Sequence, residues 1–314
     1  MLRTRKEIDA DYGYRRSRFK TVIMVLVLLW LASFFIGKLF SAEVGEKVAV
    51  IPIEGVITGS SSGLPFGGDT VDSKDITELI KNAGESKNVK AVILEINSPG
   101  GTVLASKQIA DAVKNIDKPV IALIEEIGTS GAYWVASASD HIIADEMSLT
   151  GSIGVNGGYL EFSGLMDEYG VGYEALKGGK YKDIGNPYEE LNAEKRKILQ
   201  SKIDIIYEVF VNEVANNREM DVNEVKKFSD GLYYLGVEAM DFGLIDEFGG
   251  MKEAKKKAEE LSGFDSLEEM KYETKSSLFD IISVLSNGAY YVGRGVGDSL
   301  TDVKIDQKYL TPMA

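Results

Sequence analysis

Gly128-Thr129-Ser130-Gly131-Ala132-Tyr133-Trp134 is the stretch on which the reading of this chain turns. A mostly apolar run over residues 120–127 leads into it, and a helical run over residues 132–138 leaves it. A serine at such a strand-to-helix turn is held on a sharp bend and exposed, because glycine lets the backbone take the bend. Its own N–H and that of Gly131 fall at a helix N-terminus, where negative charge is stabilised. That is the setting of a nucleophilic serine. Gly-Thr-Ser-Gly is equally an ordinary turn and N-cap, so the stretch alone leaves both readings open.

Outward from it the chain alternates between two periods. Residues 47–53 and 91–96 read as buried strands, and 120–127 as another. Between them Ile76, Leu79 and Ile80 mark one helical face, and Ile109, Val113 and Ile116 a second. Short strands are expected at 141–144 and 173–176, with a short helix at 165–169 between them. A long helix is expected over 193–216, with Asn192 as its N-cap, and shorter ones near 222–228, 237–242 and 251–261. Repeated strand–helix units of this length predict an α/β fold with a largely parallel sheet. Such sheets place active sites beyond the carboxyl ends of their strands. The Gly-rich turns after Ile96 and Ile127 both fall there.

Composition narrows the chemistry. The 314 residues include no cysteine and one histidine, His141. Thiol nucleophiles and disulfides are therefore excluded, and no metal site is expected. No cofactor is expected either. The net charge is −14, which argues against nucleic acid as a partner. The charge is uneven: seven basic and three acidic residues fall in 1–20, so that tip carries +4 and the remainder −18. Residues 21–37 follow without a charge and are nearly all apolar. A membrane helix needs about 17–25 such residues, and Leu39-Phe40 lengthen this one. A cleaved signal peptide would want a small residue where Phe40 stands, so a retained anchor is expected over 21–40. Its basic flank places the N-terminus in the cytoplasm and the body on the other side. The expected organisation is a basic cytoplasmic tip at 1–20, the transmembrane anchor at 21–40, an extracytoplasmic domain at 41–262 and a C-terminal extension at 263–314.

Ser130 needs a base. His141 follows it by only 11 residues, within or beside a short strand, and a lone histidine there reads as a packed residue. A lysine is the better candidate, provided it is neutral; burial among apolar groups favours that form. Gly178-Gly179-Lys180-Tyr181-Lys182-Asp183-Ile184 offers Lys182, although two lysines in a solvated loop would read the same way. Asn97-Ser98-Pro99-Gly100-Gly101 follows a strand and precedes a helix. Its N–H groups suit an oxyanion hole shared with Gly131, a phosphate cradle, or a plain turn. Thr150-Gly151-Ser152-Ile153-Gly154-Val155 brings a second hydroxyl, suited to holding an amine, or is itself only a turn.

In this order, and behind an apolar stretch, NSPGG, GTSGAYW, TGSIGV and GGKYKD resemble the signal peptide peptidase A family. These are membrane-bound serine proteases with the Clp-protease/crotonase-like fold. The resemblance covers roughly residues 47–262. It implies Ser130 as nucleophile, Lys182 as general base and Ser152 as the hydroxyl assisting the lysine. It places the oxyanion hole at Gly100, Gly101 and Gly131, and Ile153 and Val155 beside the substrate. The family often has Gly-Gly after its serine; here the pair is Gly131-Ala132, a departure that leaves the Gly131 N–H in place. The chain matches the short, one-repeat form, which implies a homo-oligomeric ring whose sites take serine and lysine from neighbouring subunits. Peptides left in the lipid bilayer, cleaved signal peptides among them, are the implied substrates. Alternatives are a relative that cleaves stomatin-like membrane proteins, a scaffold with a dead site, and a crotonase-like acyl-CoA enzyme. The anchor and the acidic body argue against the last.

Overall fold

The computed structural model describes residues 24–31, 33, 45–60 and 69–272. The chain divides into two compact units, residues 1–46 and 47–314. In the first, residues 24–31 are helical. Among the described residues no helix is long and apolar enough to cross a membrane. Most of the anchor expected at 21–40, and residues 273–314, lie outside the described residues.

The second unit opens with strands β1 (Lys47–Glu54), β2 (Val56–Thr58) and β3 (Thr70–Asp72). Helix α1 (Ser73–Glu85), β4 (Val89–Ser98), α2 (Val103–Lys114), β5 (Val120–Thr129), α3 (Gly131–Ser137), β6 (His141–Ala144) and β7 (Leu149–Gly151) follow. Then come α4 (Ser163–Glu168), α5 (Ala193–Asn217), α6 (Val222–Lys226), β8 (Tyr233–Leu235), α7 (Gly236–Asp241), β9 (Glu247–Phe248), α8 (Met251–Ser262) and β10 (Glu268–Lys271).

The main sheet runs β10-β1-β4-β5-β6-β9, parallel throughout. Side chains alternate between its faces, and both faces are covered, so the central strands are apolar at nearly every position. Ala49, Ile51, Val92, Leu94, Ala122 and Ile124 enter the larger core with residues of α1, α2 and α3. Their neighbours Val50, Ala91, Ile93, Ile121 and Leu123 enter a second core with Ala254 and Ala258 of α8. The helices start where the side chains allow. Asp72 accepts from Lys74 N to cap α1, and Asn192 accepts from Lys195 N to cap α5, as expected for Asn192.

One irregularity of the sheet matters for the site. Strand β5 is too long for a single neighbour. Its first half pairs with β6, Ile121 opposite His141, and its last residues pair with β7, Gly128 opposite Thr150. Strand β8 then joins β7 antiparallel.

Two expectations need correction. Residues 173–176 are not a strand. They pair with no other segment, and Leu176 is 93% exposed. Alternating apolar residues form a strand only where a sheet edge accepts their backbone groups, and neither edge strand of the main sheet, β9 or β10, pairs with this segment. The domain boundary expected at 262 also falls short. Strand β10 lies beyond it and pairs with β1, Lys47 opposite Glu268.

Candidate active site

Ser130 stands at the carboxyl end of β5 and caps α3, with φ 54° and ψ −123°. This is a backbone region that non-glycine residues seldom occupy, at a cost on the order of 1–3 kcal/mol. The surroundings hold it there. Ser130 N donates to Gly151 O at 2.8 Å, and Trp134 N donates to Ser130 O at 3.0 Å. Every residue of α3 is buried. Tyr133 Oη donates to Leu244 O, and burial raises the Tyr133 hydroxyl far above its usual range, so it stays protonated. The Trp134 ring stacks on Phe210 of α5, with centroids 4.5 Å apart and planes 8° apart. The nucleophile-type turn is thus fixed by the core.

The Asn97–Gly101 turn lies against it. Gly100 has φ +94°, and a Cβ there would stand 2.6 Å from Gly131 N, so glycine is required on both counts. Gly100 N donates to Ser98 Oγ at 3.1 Å, and Ser98 Oγ donates to Gly55 O at 2.6 Å. The N–H of Gly100 is therefore already used. The Gly100 carbonyl accepts from Ile57 N at 2.9 Å. In a trans peptide the N–H opposes the carbonyl, so the Gly101 N–H points away from Ile57. It lies 3.2 Å from where a Gly131 Cβ would be. Among the described residues neither Gly101 N–H nor Gly131 N–H has an acceptor. Two unsatisfied amides beside a serine hydroxyl form a trap for a developing oxyanion. Of the three glycines expected for that role, Gly101 and Gly131 keep the necessary N–H and Gly100 does not.

The split pairing of β5 brings the second hydroxyl in. Ser152 also has a positive φ, 51°, and its Oγ donates to Gly231 O at 2.9 Å. Ser130 and Ser152 line one cavity of about 640 Å³, with Val155, Trp134, Phe210 and Asp230 around it. Ile153 does not line it; that side chain is fully buried in the core, since alternation along this stretch turns it inward, and only Val155 of the two expected substrate contacts faces the cavity.

Lys182 is not brought to Ser130 within the chain. It does not line the cavity and is exposed, whereas burial among apolar groups was expected. Its segment carries a row of exposed apolar side chains, Leu160, Leu165, Tyr169, Val171 and Leu176 among them. His141 is also far from Ser130. It pairs with Ile121, nine residues before Ser130 along β5, which is about 30 Å at the rise of a strand. Its ring contacts Glu247 Oε2 at 3.2 Å instead.

Sequence reasoning missed Ser98, Ile57 and Asp230. The first was legible as a hydroxyl preceding a Pro-Gly-Gly turn. The other two come from distant stretches, β2 and the loop before β8, and nothing local marks them.

A family model for peptidase family S49 matches residues 112–265, and one for Clp protease matches residues 68–143. A provisionally named protease of Methanocaldococcus jannaschii is 36% identical over 74% of this chain and 74% of its own length. A provisionally named signal peptide peptidase of Enterococcus faecium is 35% identical over 67% of this chain and 62% of its own. The chloroplastic serine protease SPPA of Arabidopsis thaliana is 32% identical over 82% of this chain and 39% of its own. The protein is thus a serine peptidase built on a parallel α/β, Clp protease-like domain. It belongs to peptidase family S49.

Proposed function

We propose that this protein is a membrane-anchored endopeptidase that degrades hydrophobic peptides, remnant signal peptides among them, with a Ser130/Lys182 dyad shared between subunits of a ring. The observation that carries this reading is the division of the site. Ser130 sits in a finished pocket beside two unsatisfied amides, while Lys182 is displayed on an exposed apolar segment outside that pocket. Such a segment buries its apolar side chains when it packs on another copy, and a head-to-tail contact of that kind closes as a ring.

The mechanism follows from the parts. Ser130 Oγ attacks the scissile carbonyl while the neutral amine of Lys182 takes its proton. Charge on the tetrahedral oxygen is held by Gly101 N–H and Gly131 N–H. Ser152 Oγ, already fixed on Gly231 O, holds the lysine amine in line. The ammonium then protonates the leaving amine, and water, activated by the same amine, releases the acyl group. Trp134, Phe210 and Val155 offer apolar surface to a substrate side chain. The uncharged stretch at 21–37 would keep this chemistry at the bilayer, where hydrophobic peptides remain. The name of the Enterococcus relative supports the substrate class.

The test is complementation. Ser130→Ala and Lys182→Ala proteins are each inactive. Unfolded together in equal amounts and reassembled, they give a working site wherever a Lys182→Ala subunit supplies serine and a Ser130→Ala subunit supplies lysine. Random mixing gives about one quarter of sites intact in a head-to-tail ring. No recovery, with mixed oligomers confirmed by native mass spectrometry, would mean that each subunit builds its own site.

A further inference from the structure

Two polar atoms on the wall of the Ser130 cavity are left without partners. Ser106 of α2 and Trp134 of α3 both line the cavity, and both are buried, at 0% and 2% exposure. Among the described residues neither Ser106 Oγ nor Trp134 Nε1 has a hydrogen-bond partner. A serine inside a helix can turn its hydroxyl back to a carbonyl of the preceding turn. Ser137 of α3 does so, donating to Trp134 O at 2.8 Å. Ser106 does not. Its Oγ reaches across to α3 and stands 2.2 Å from where a Gly131 Cβ would be, beside the residue whose amide faces the oxyanion. A buried polar group left unpaired costs stability, and in native proteins each exception has a cause. Two of them on one wall of a substrate cavity point to a substrate group that pairs with them.

We infer that Ser106 Oγ and Trp134 Nε1 form a polar recognition point for the side chain of the residue whose carbonyl is cleaved, and that this side chain is uncharged and carries a hydrogen-bond acceptor. The inference rests on Ser130 being the nucleophile. The carbonyl oxygen lies between Gly101 N–H and Gly131 N–H, and the side chain of the same residue begins two bonds from that carbonyl carbon. It is therefore the part of the substrate that enters the cavity beside Ser106. An indole N–H only donates, whereas a hydroxyl donates and accepts, so the partner has to offer an acceptor. An ammonium or guanidinium has none. A carboxylate has, but Asp230 lines the same cavity and among the described residues no cation does, so a second negative charge is disfavoured. Hydroxyl and carboxamide side chains remain. Phe210 and Val155 meet their apolar parts. An apolar peptide is thus cut by preference after an uncharged polar residue that it contains.

Isosteric pairs of peptides test this on the full chain. The peptides are identical except at the residue before the cut, which is threonine or valine in one pair and asparagine or leucine in the other. Product masses confirm where each is cut. The readout is the ratio of kcat/KM for the polar member to that for its apolar isostere, which does not depend on the fraction of active enzyme. In the parent the polar member is favoured. Ser106→Ala and Trp134→Phe each lower the ratio by about three- to tenfold, the worth of one hydrogen bond between uncharged groups. A merely structural role for either residue lowers both members of a pair alike and leaves the ratio in place. An apolar member favoured in the parent, or an unmoved ratio in Ser106→Ala, overturns the inference; an unmoved ratio in Trp134→Phe removes the indole from it. Ser130→Ala separates the two levels. Cleavage of these peptides by Ser130→Ala at the parent's rate removes the nucleophile itself, whereas an inactive Ser130→Ala with unmoved ratios in the other variants removes only the recognition point.

Discussion

Gly131→Ala is the perturbation whose consequence can be worked most directly from the structure. A Cβ on Gly131 would stand 2.2 Å from Ser106 Oγ, 3.0 Å from Ser106 Cβ and 3.2 Å from Gly101 N. Ser106 is buried on α2 and borders the Ser130 cavity, so its hydroxyl can rotate away from the new methyl, but its Cβ cannot. Relief requires a shift of roughly 1 Å, either of α2 away from α3 or of the Gly131 amide itself. Overpacking of this kind costs about 1–3 kcal/mol of stability. Displacing one oxyanion donor costs about 10²–10³ in kcat. The expected result is therefore a folded, somewhat less stable protein with kcat reduced by about two to three orders of magnitude and KM little changed. The second variant makes the argument sharp. Ser106→Gly removes the two atoms nearest the new methyl, and the next, Gly101 N, stands at 3.2 Å. In Gly131→Ala/Ser106→Gly most of the lost kcat returns, although a glycine inside α2 itself costs about 1 kcal/mol of stability. Steady-state hydrolysis of a chromogenic peptide, with urea unfolding of the same samples, gives both numbers. A near-normal kcat in Gly131→Ala, or a double variant no better than the single one, would refute the placement of this amide in the site.

Two further outcomes are expected. His141→Ala retains most of the peptidase activity, because His141 lies at the opposite end of β5 from Ser130; a large loss of kcat with the fold intact would show that the histidine acts in catalysis. Asp246→Asn reports on acid stability. Burial pushes the Asp246 carboxyl up, but the hydrogen bond and charge of Arg218 outweigh it and hold the group below its ordinary range. A lowered folded-state value stabilises the fold above the unfolded-state pKa of about 3.9, and the contribution fades as pH falls through the lowered value. The variant is therefore less stable than the parent at pH 7, and the gap narrows below about pH 4; equal urea midpoints at pH 7 would show that the pair contributes nothing.

Much of the fold was legible because its causes are local. The strands of the central sheet are apolar at nearly every position and are separated by helices with a clear periodic face, so β1, β4, β5, α1 and α2 follow from the pattern. The Asn192 cap and the strand at His141–Ala144 are equally local. Ser130 was legible as a serine on a tight turn between two elements of different period. Resemblance to a known family added Lys182 and Ser152, which the residues alone left as loop lysine and turn hydroxyl.

Tertiary structure decided what depends on long-range pairing. Only the change of partner along β5, from β6 to β7, puts Ser152 into the cavity of Ser130. Only the bond from Ile57 to the Gly100 carbonyl orients the Gly101 amide, and only Ser98 withdraws that of Gly100. Residues 173–176 have strand composition but pair with no strand of the sheet, whereas β10 pairs with β1 despite its charge. A sequence fixes which backbone and side-chain groups need partners. Which distant group meets each need is settled when the chain closes on itself, and for Lys182 that closure leaves the amine outside the pocket of its own chain.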